Sequence, residues 1–167
     1  MLVVFSGLPG VGKTTLARAA AARLSAAFVR IDELDSALRR AGIAPEQPIG
    51  PATYLAANAV AEACLRVGTP VVVDGVNALE AIRDGWREAA SRAGAPLRVV
   101  EVVCSDAAEH RRRVESRSSE LEGVPAPTWA DVGSRVYEPW REPRLVVDTS
   151  LPLATCECDI DEYLRAG

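Results

Sequence analysis

Gly7-Leu8-Pro9-Gly10-Val11-Gly12-Lys13-Thr14 decides the fold, because it satisfies the spacing G-x-x-x-x-G-K-[ST] between an apolar run and an alanine-rich one. Residues 2–5 before it are all apolar, as in a buried strand, and Leu16, Ala20 and Leu24 after it recur at helical spacing. A strand, a glycine-rich turn and a helix in that order make a cradle for phosphate. The glycines let backbone N–H groups turn inward around an anion, and the helix adds about half a positive charge at its N-terminus. Lys13 is the only lysine in the 167 residues; the rest of the 19 basic residues are arginine. An ammonium is a compact point charge on a flexible stem, able to follow the β- and γ-phosphates as the bond between them breaks, whereas a guanidinium is planar and wide. The expected nucleotide-binding residues are therefore Gly7, Leu8, Pro9, Gly10, Val11, Gly12, Lys13, Thr14 and Thr15, with the Thr14 hydroxyl offered to Mg²⁺.

Working outward, short apolar runs at 2–5, 27–31, 70–73, 97–104 and 144–147 read as strands, several of them apolar on both faces as buried parallel strands are. Helical patterns at 13–25, 33–41, 51–67, 78–93, 106–118, 128–138 and 155–165 separate them, and Gly42, Gly68 and Gly94 stand where helices should stop. Strands alternating with helices predict a parallel α/β sheet. The length suits one domain spanning 1–167, and the proline-bearing stretch before Pro143 reads as part of a lid over about 106–143.

A net charge of −4 and a pI near 5.1 give no sequence-wide attraction to polyanions, which argues against a long nucleic-acid track or an anionic membrane as partner. A short polynucleotide end stays open. No apolar run approaches a membrane span and the first residues show no signal-peptide pattern, so a soluble, cytoplasmic protein is expected. Of the four cysteines, Cys64 and Cys104 lie in apolar periodic segments and are expected as small core residues. Cys156 and Cys158 have no second cysteine pair to complete a zinc site, and His110 is the only histidine.

Four further features bear on the fate of the phosphate. Asp32 follows the second strand and opens a helix, where it either takes a proton from an attacking hydroxyl or caps the helix. Asp74 ends the strand of "PVVVDGVN", placed to hold Mg²⁺ through water, although Asp148 of "RLVVDTS" has the same look. In "EHRRRVESR", Arg113 and Arg117 are four apart on one helical face, either closing over the triphosphate or pairing with Glu109 and Glu115 in solvent. The "DTSLP" stretch puts Thr149 where backbone can frame the nucleotide.

Taken in order, "GLPGVGKTT", "RIDEL", "VVVDGVN", "EHRRRVESR" and "VVDTS" resemble the P-loop kinases of the adenylate-kinase-like superfamily. Within it the chain is similar to the group of polynucleotide 5′-kinase domains and chloramphenicol phosphotransferase-like small-molecule kinases, which often carry the label AAA family ATPase. The resemblance implies a three-layer P-loop NTPase sandwich with a five-stranded parallel sheet in order 2-3-1-4-5, helices on both faces and a helical lid. It also implies Mg-ATP as donor, Asp32 as acceptor-activating base, and Arg113 and Arg117 as lid arginines. One departure stands out: polynucleotide kinases of this kind place an arginine three residues after the base, where this chain has Asp35. A carboxylate there repels a phosphorylated acceptor, with Arg39 and Arg40 as candidate substitutes a turn on, and favours a small neutral or cationic molecule with a free hydroxyl. Tyr54, Trp86, Trp129, Tyr137 and Trp140 are candidates for its pocket, although core or interface positions suit most of them. Nucleotide kinase and non-transferring nucleotide-binding protein remain alternatives, whereas a GTPase needs an N-K-x-D element that a chain with one lysine lacks.

Overall fold

The computed structural model describes residues 1–44, 46–116, 118, 121 and 126–166. Five strands, β1 (Leu2–Ser6), β2 (Ala27–Arg30), β3 (Val71–Asp74), β4 (Leu97–Val103) and β5 (Leu145–Asp148), all pair in parallel in the order β2-β3-β1-β4-β5. The most apolar strand takes the centre: Leu2, Val3, Val4 and Phe5 of β1 are fully buried between β3 and β4. Seven helices complete the described chain: α1 (Lys13–Leu24), α2 (Ile31–Arg40), α3 (Gly50–Arg66), α4 (Glu80–Arg92), α5 (Ala107–Ser116), α6 (Trp129–Ser134) and α7 (Leu153–Arg165).

Side chains alternate across a strand, so β1 feeds two cores. Val3 and Phe5 pack with Leu16 and Ala20 of α1 and with Ile160 and Leu164 of α7. Leu2 and Val4 pack on the other face with Ala57, Ala61 and Leu65 of α3 and with Trp86 and Ala90 of α4. Each fully buried valine or leucine contributes roughly 1.5–3 kcal/mol relative to exposure, so β1 and its flanking helices form the least deformable part of the molecule. Parallel pairing brings the carboxyl ends of all five strands, and the loops that follow them, to one edge, where open α/β sheets bind ligands.

The expected sheet order and every expected element are present, with shifted ends. Gly42, Gly68 and Gly94 do close their helices, each at positive φ. Ile31 opens α2 instead of ending β2, and α4 starts at Glu80. The helix expected over 128–138 begins as anticipated, with a capping box between Thr128 and Asp131, but ends at Ser134, after which Arg135 is extended. The next residues are drawn out of the helix by contacts made far away in the chain. Glu138 N–H donates to Ala78 O, and the Arg83 guanidinium donates to the Glu138 and Pro139 carbonyls. Among the cysteines the expectation inverts: Cys156 is the buried one, under β5, while Cys64 and Cys104 are only half-buried at the core margins. Of the aromatic residues, Trp86 and Trp140 are buried and Trp129 stands edge-on to His110.

Candidate active site

The glycine-rich loop runs from the end of β1 into α1. Gly12 takes the N-cap position in the left-handed conformation, α1 has no side-chain cap, and its first turn carries no acidic residue, so its leading N–H groups face the loop unscreened by a carboxylate. Two of the glycines are dictated by contact. A Cβ on Gly7 would fall 2.3 Å from Val102 O and one on Gly10 2.4 Å from Val114 Cγ2, both with positive φ. Lys13 is buried, with its Nζ reaching back to Leu8 O at 3.5 Å.

α5 holds the loop from outside. His110, buried on that helix, donates from Nε2 to Pro9 O at 2.8 Å and meets Trp129 edge-on at 5.1 Å, so the single histidine braces the phosphate loop. On the far flank the Thr149 hydroxyl donates to Val11 O at 2.7 Å and accepts from Arg113 Nη1 at 2.9 Å, while Arg113 Nη2 donates to Thr149 O and Arg113 Nε to Glu109. Hydrogen bonds from Arg112 and then Arg113 hold the Glu109 carboxyl down to about 2. Arg113, Thr149, Gly12, Thr15 and Cys156 line a cavity of about 200 Å³. Arg113 therefore lies against the loop after β5. Arg117 is outside the described residues.

The opposite flank opens on a cleft of about 560 Å³ that Lys13, Asp32 and Asp35 share. Asp32 sits in the first turn of α2 with its side chain 44% exposed and 3.7 Å from Arg30 Nη2. It makes no capping hydrogen bond, Arg30 being the N-cap residue, so the capping alternative is not realised. One turn on, Asp35 accepts a hydrogen bond from the Thr53 hydroxyl, and burial raises its pKa. Arg39 does not replace the missing arginine, because its guanidinium donates to the carbonyls of Ile43, Ala44 and Gln47 in the loop after α2.

Asp74 and Asp148, alike in sequence, part company in space. Asp148 accepts the backbone N–H groups of Ser105 and Ser150, each at 3.0 Å, and hydrogen bonds from the Ser105 hydroxyl and from these amides keep its pKa well below the carboxylate range. It ends β5 and ties the turn after that strand to the loop after β4. Asp74 is buried at the end of β3 with Oδ2 3.7 Å from Arg30 Nε, and its Oδ1 has no hydrogen-bond partner among the described residues. No group of three His, Cys, Asp or Glu side chains among the described residues could hold a metal unaided. The unpartnered Asp74 Oδ1 is an oxygen donor that could hold Mg²⁺ beside phosphate oxygens, since Mg²⁺ takes few protein ligands beside its substrate.

A family model described as an AAA domain (AAA_33) matches residues 2–139. The chain belongs to that family of P-loop kinase-like domains. Solved structures share its fold over nearly the full length. A sugar kinase from Janibacter sp. HTCC2649 matches with TM-score 0.73 at 18% identity, over 98% of this chain and 94% of that one. Kti12 of Chaetomium thermophilum in complex with ADP-AlF3 matches with TM-score 0.74 at 22% identity, over 99% and 98%. The Mycobacterium tuberculosis APS kinase in complex with AMPPNP and APS matches with TM-score 0.73 at 20% identity, over 98% and 96%. No curated protein matches the sequence. Among the described residues no helix is long and apolar enough to cross a membrane.

Several residues of the family's fold in this chain escape a reading of the sequence. Arg30 and Arg135 line the same cleft as Asp32. Arg30 is signalled only by a charge that ends an apolar run, "AFVR", and is itself buried. Asn77, at φ 50, donates from Nδ2 to Phe5 O and Gly75 O and accepts from Trp86 Nε1, which fixes the loop after β3. Arg83 is fully buried on α4; it donates to the carbonyls of Asn77, Ala78, Glu138 and Pro139 and stacks 4.0 Å from the Trp140 ring. A relay from Trp140 Nε1 to the Tyr137 hydroxyl, on to Ser6 Oγ and then to Val76 O ties this strap to the start of the phosphate loop. Its partners lie too far along the chain for any local pattern to reveal them.

Proposed function

We propose that this protein transfers the γ-phosphoryl group of ATP to a hydroxyl of a small molecule, with Asp32 as general base. The observation that carries the reading is the sharing of one cleft by Lys13 of the phosphate loop and the accessible Asp32 carboxylate, while the loop's other flank opens on a separate cavity. Two cavities meeting at a phosphate cradle suit a donor on one side and an acceptor on the other. Nucleotide complexes of the Kti12 and APS kinase structures lend support to the donor assignment, and the names sugar kinase and APS kinase to a small acceptor.

In this reading the acceptor oxygen attacks the γ-phosphorus, the bond to the β–γ bridging oxygen breaks, ADP leaves, and the hydroxyl proton passes to Asp32. Lys13 and the backbone N–H groups of residues 10–15 bear on the charge that develops on the phosphoryl oxygens. Thr14 and Asp74 would hold Mg²⁺, which when bound neutralises charge on the β- and γ-phosphates. Thr149, with Arg113 fixed against it, is assigned to the nucleotide flank, and Arg117 to the lid. Asp35 and the engagement of Arg39 weigh against an acceptor that already carries a phosphate. Replacing Asp32 by asparagine tests the assignment. Asp32→Asn should bind ATP as tightly as the parent in calorimetry and lose roughly 10²–10⁴-fold in transfer rate. Unchanged transfer would remove Asp32 from the mechanism.

A further inference from the structure

We infer that the acceptor is an alcohol with an apolar body, not a polyol, and that Leu79 and Val136 bind that body; this rests on the phosphotransfer reading of the same cleft. Away from Asp32 and Asp35, the cleft is walled by Ile31, Tyr54, Ala78, Leu79, Ile82 and Val136. Tyr54 presents its ring there, since its hydroxyl accepts the Asn77 N–H at 3.3 Å and burial pushes that hydroxyl's pKa up to about 12. Asp35 is engaged by Thr53, and the Arg30 guanidinium lies within 3.7 Å of Asp32, Glu33 and Asp74. A sugar or sugar acid needs a polar partner for each hydroxyl it desolvates, because an unmatched buried hydroxyl is costly. Among the described lining residues the other charged side chains are Lys13, which serves the phosphate, and Arg135, too few for a polyol.

Leu79 makes the stronger case, because it breaks a local rule. It occupies the N-cap of α4, a position where leucine is among the poorest choices and serine, threonine, aspartate or asparagine the best. No side-chain cap forms there, and the N–H of Glu80 turns to the Glu138 carboxylate at 2.5 Å. Leu79 is also 40% exposed and Val136 68% exposed, two large apolar side chains facing one cleft. Ile49 at the N-cap of α3 is equally apolar and uncapped but is buried in the protein, whereas Leu79 stays exposed in the cleft, where an apolar ligand would cover it.

The test compares apolar primary alcohols (benzyl alcohol, cyclohexylmethanol and the homologous phenylalkanols) with glycerol, glucose and gluconate as acceptors. ADP release and the phosphomonoester are both followed, in the parent protein and in Leu79→Ser and Val136→Asp. The expected result is a kcat/KM at least tenfold higher for the apolar set, rising about three- to fourfold for each methylene that the cleft covers. Leu79→Ser should erase most of that preference while raising Tm, because it supplies the missing cap, a pairing of signs that a merely structural leucine would not give. Val136→Asp, at an exposed position, should lose the preference without loss of stability. Polyols phosphorylated as well as or better than the apolar alcohols would overturn the inference and leave the phosphotransfer reading standing. No phosphomonoester from either set, with ATP still bound, would sink the phosphotransfer reading instead. Saturation-transfer NMR with the same alcohols then decides the cleft's preference by binding alone, and equal binding of both sets would overturn it.

Discussion

The two flanks of the phosphate loop differ in how they are built. On the flank assigned to the nucleotide, the hydrogen bonds to the loop come from groups that follow neighbouring strands of the sheet: Thr149 after β5 reaches Val11 after β1, and His110 after β4 reaches Pro9. On the acceptor flank, the cleft is walled partly by a strap, residues 135–142, that no strand or helix carries and that a buried arginine on α4 holds by carbonyl contacts. On the first flank the topology of the sheet brings Thr149 and His110 beside the loop, and their side chains make the contacts. The second depends on a few polar contacts between distant segments, which can vary without disturbing the sheet. This is how one fold keeps its donor and changes its acceptor.

Substitutions on each flank can break or sharpen that contrast. The largest effect is expected at Lys13. Lys13→Ala should abolish turnover and Lys13→Arg should retain no more than about a hundredth of it, since the loss of one charge-stabilising group costs roughly 10²–10³ in rate. An arginine variant of near-normal rate, followed by ADP release, would contradict the argument from the shape of the ammonium. Next comes the strap. Arg83→Leu removes the guanidinium donor from the carbonyls of Asn77, Glu138 and Pro139, and from Ala78 O, which keeps the Glu138 N–H, and should cost about 3 kcal/mol or more in urea unfolding. A variant of intermediate effect, Arg83→Lys, should keep ATP affinity while raising the acceptor KM, because the strap and not the nucleotide flank is disturbed.

His110→Ala is expected to be milder, about 2 kcal/mol, and to show on the other flank as weaker ATP binding with an unaltered acceptor preference. The smallest effect should come from Asp35→Asn, and its sign depends on pH. Burial raises the folded-state pKa of Asp35 above its unfolded value, so the native state holds the proton more tightly and stability falls as pH rises through that interval. The asparagine keeps an oxygen for the Thr53 hydroxyl and has no charge to desolvate. Its Tm should equal that of the parent below the ordinary carboxylate range and exceed it slightly at pH 7; a variant less stable than the parent at pH 7 would contradict the assignment.

What the sequence disclosed follows the same division. The strands, the phosphate loop and Asp32 were legible because apolar runs, glycine spacing and a carboxylate at a strand end are local signals whose contacts follow from parallel topology. The strap was not, since the stretch around Pro139 and Pro143 has no periodicity and owes its conformation to Arg83 and Ala78, more than fifty residues away. Asp148 shows the limit from the other side: it matches Asp74 in sequence context, and only its two serine N–H partners reveal it as the tie between the turn after β5 and the loop after β4. Leu79 lay unremarked inside the helix expected over 78–93, and its place at the N-cap and in the cleft required the structure.

The central claim, that the two cavities serve a donor and an acceptor joined at one phosphate cradle, is tested most directly by ³¹P NMR of the protein with Mg-ATP and a phenylalkanol. The account predicts a phosphomonoester resonance that grows in step with ADP and fails to grow in Asp32→Asn. Inorganic phosphate appearing alone, or a phosphomonoester formed equally well by the asparagine variant, would contradict it.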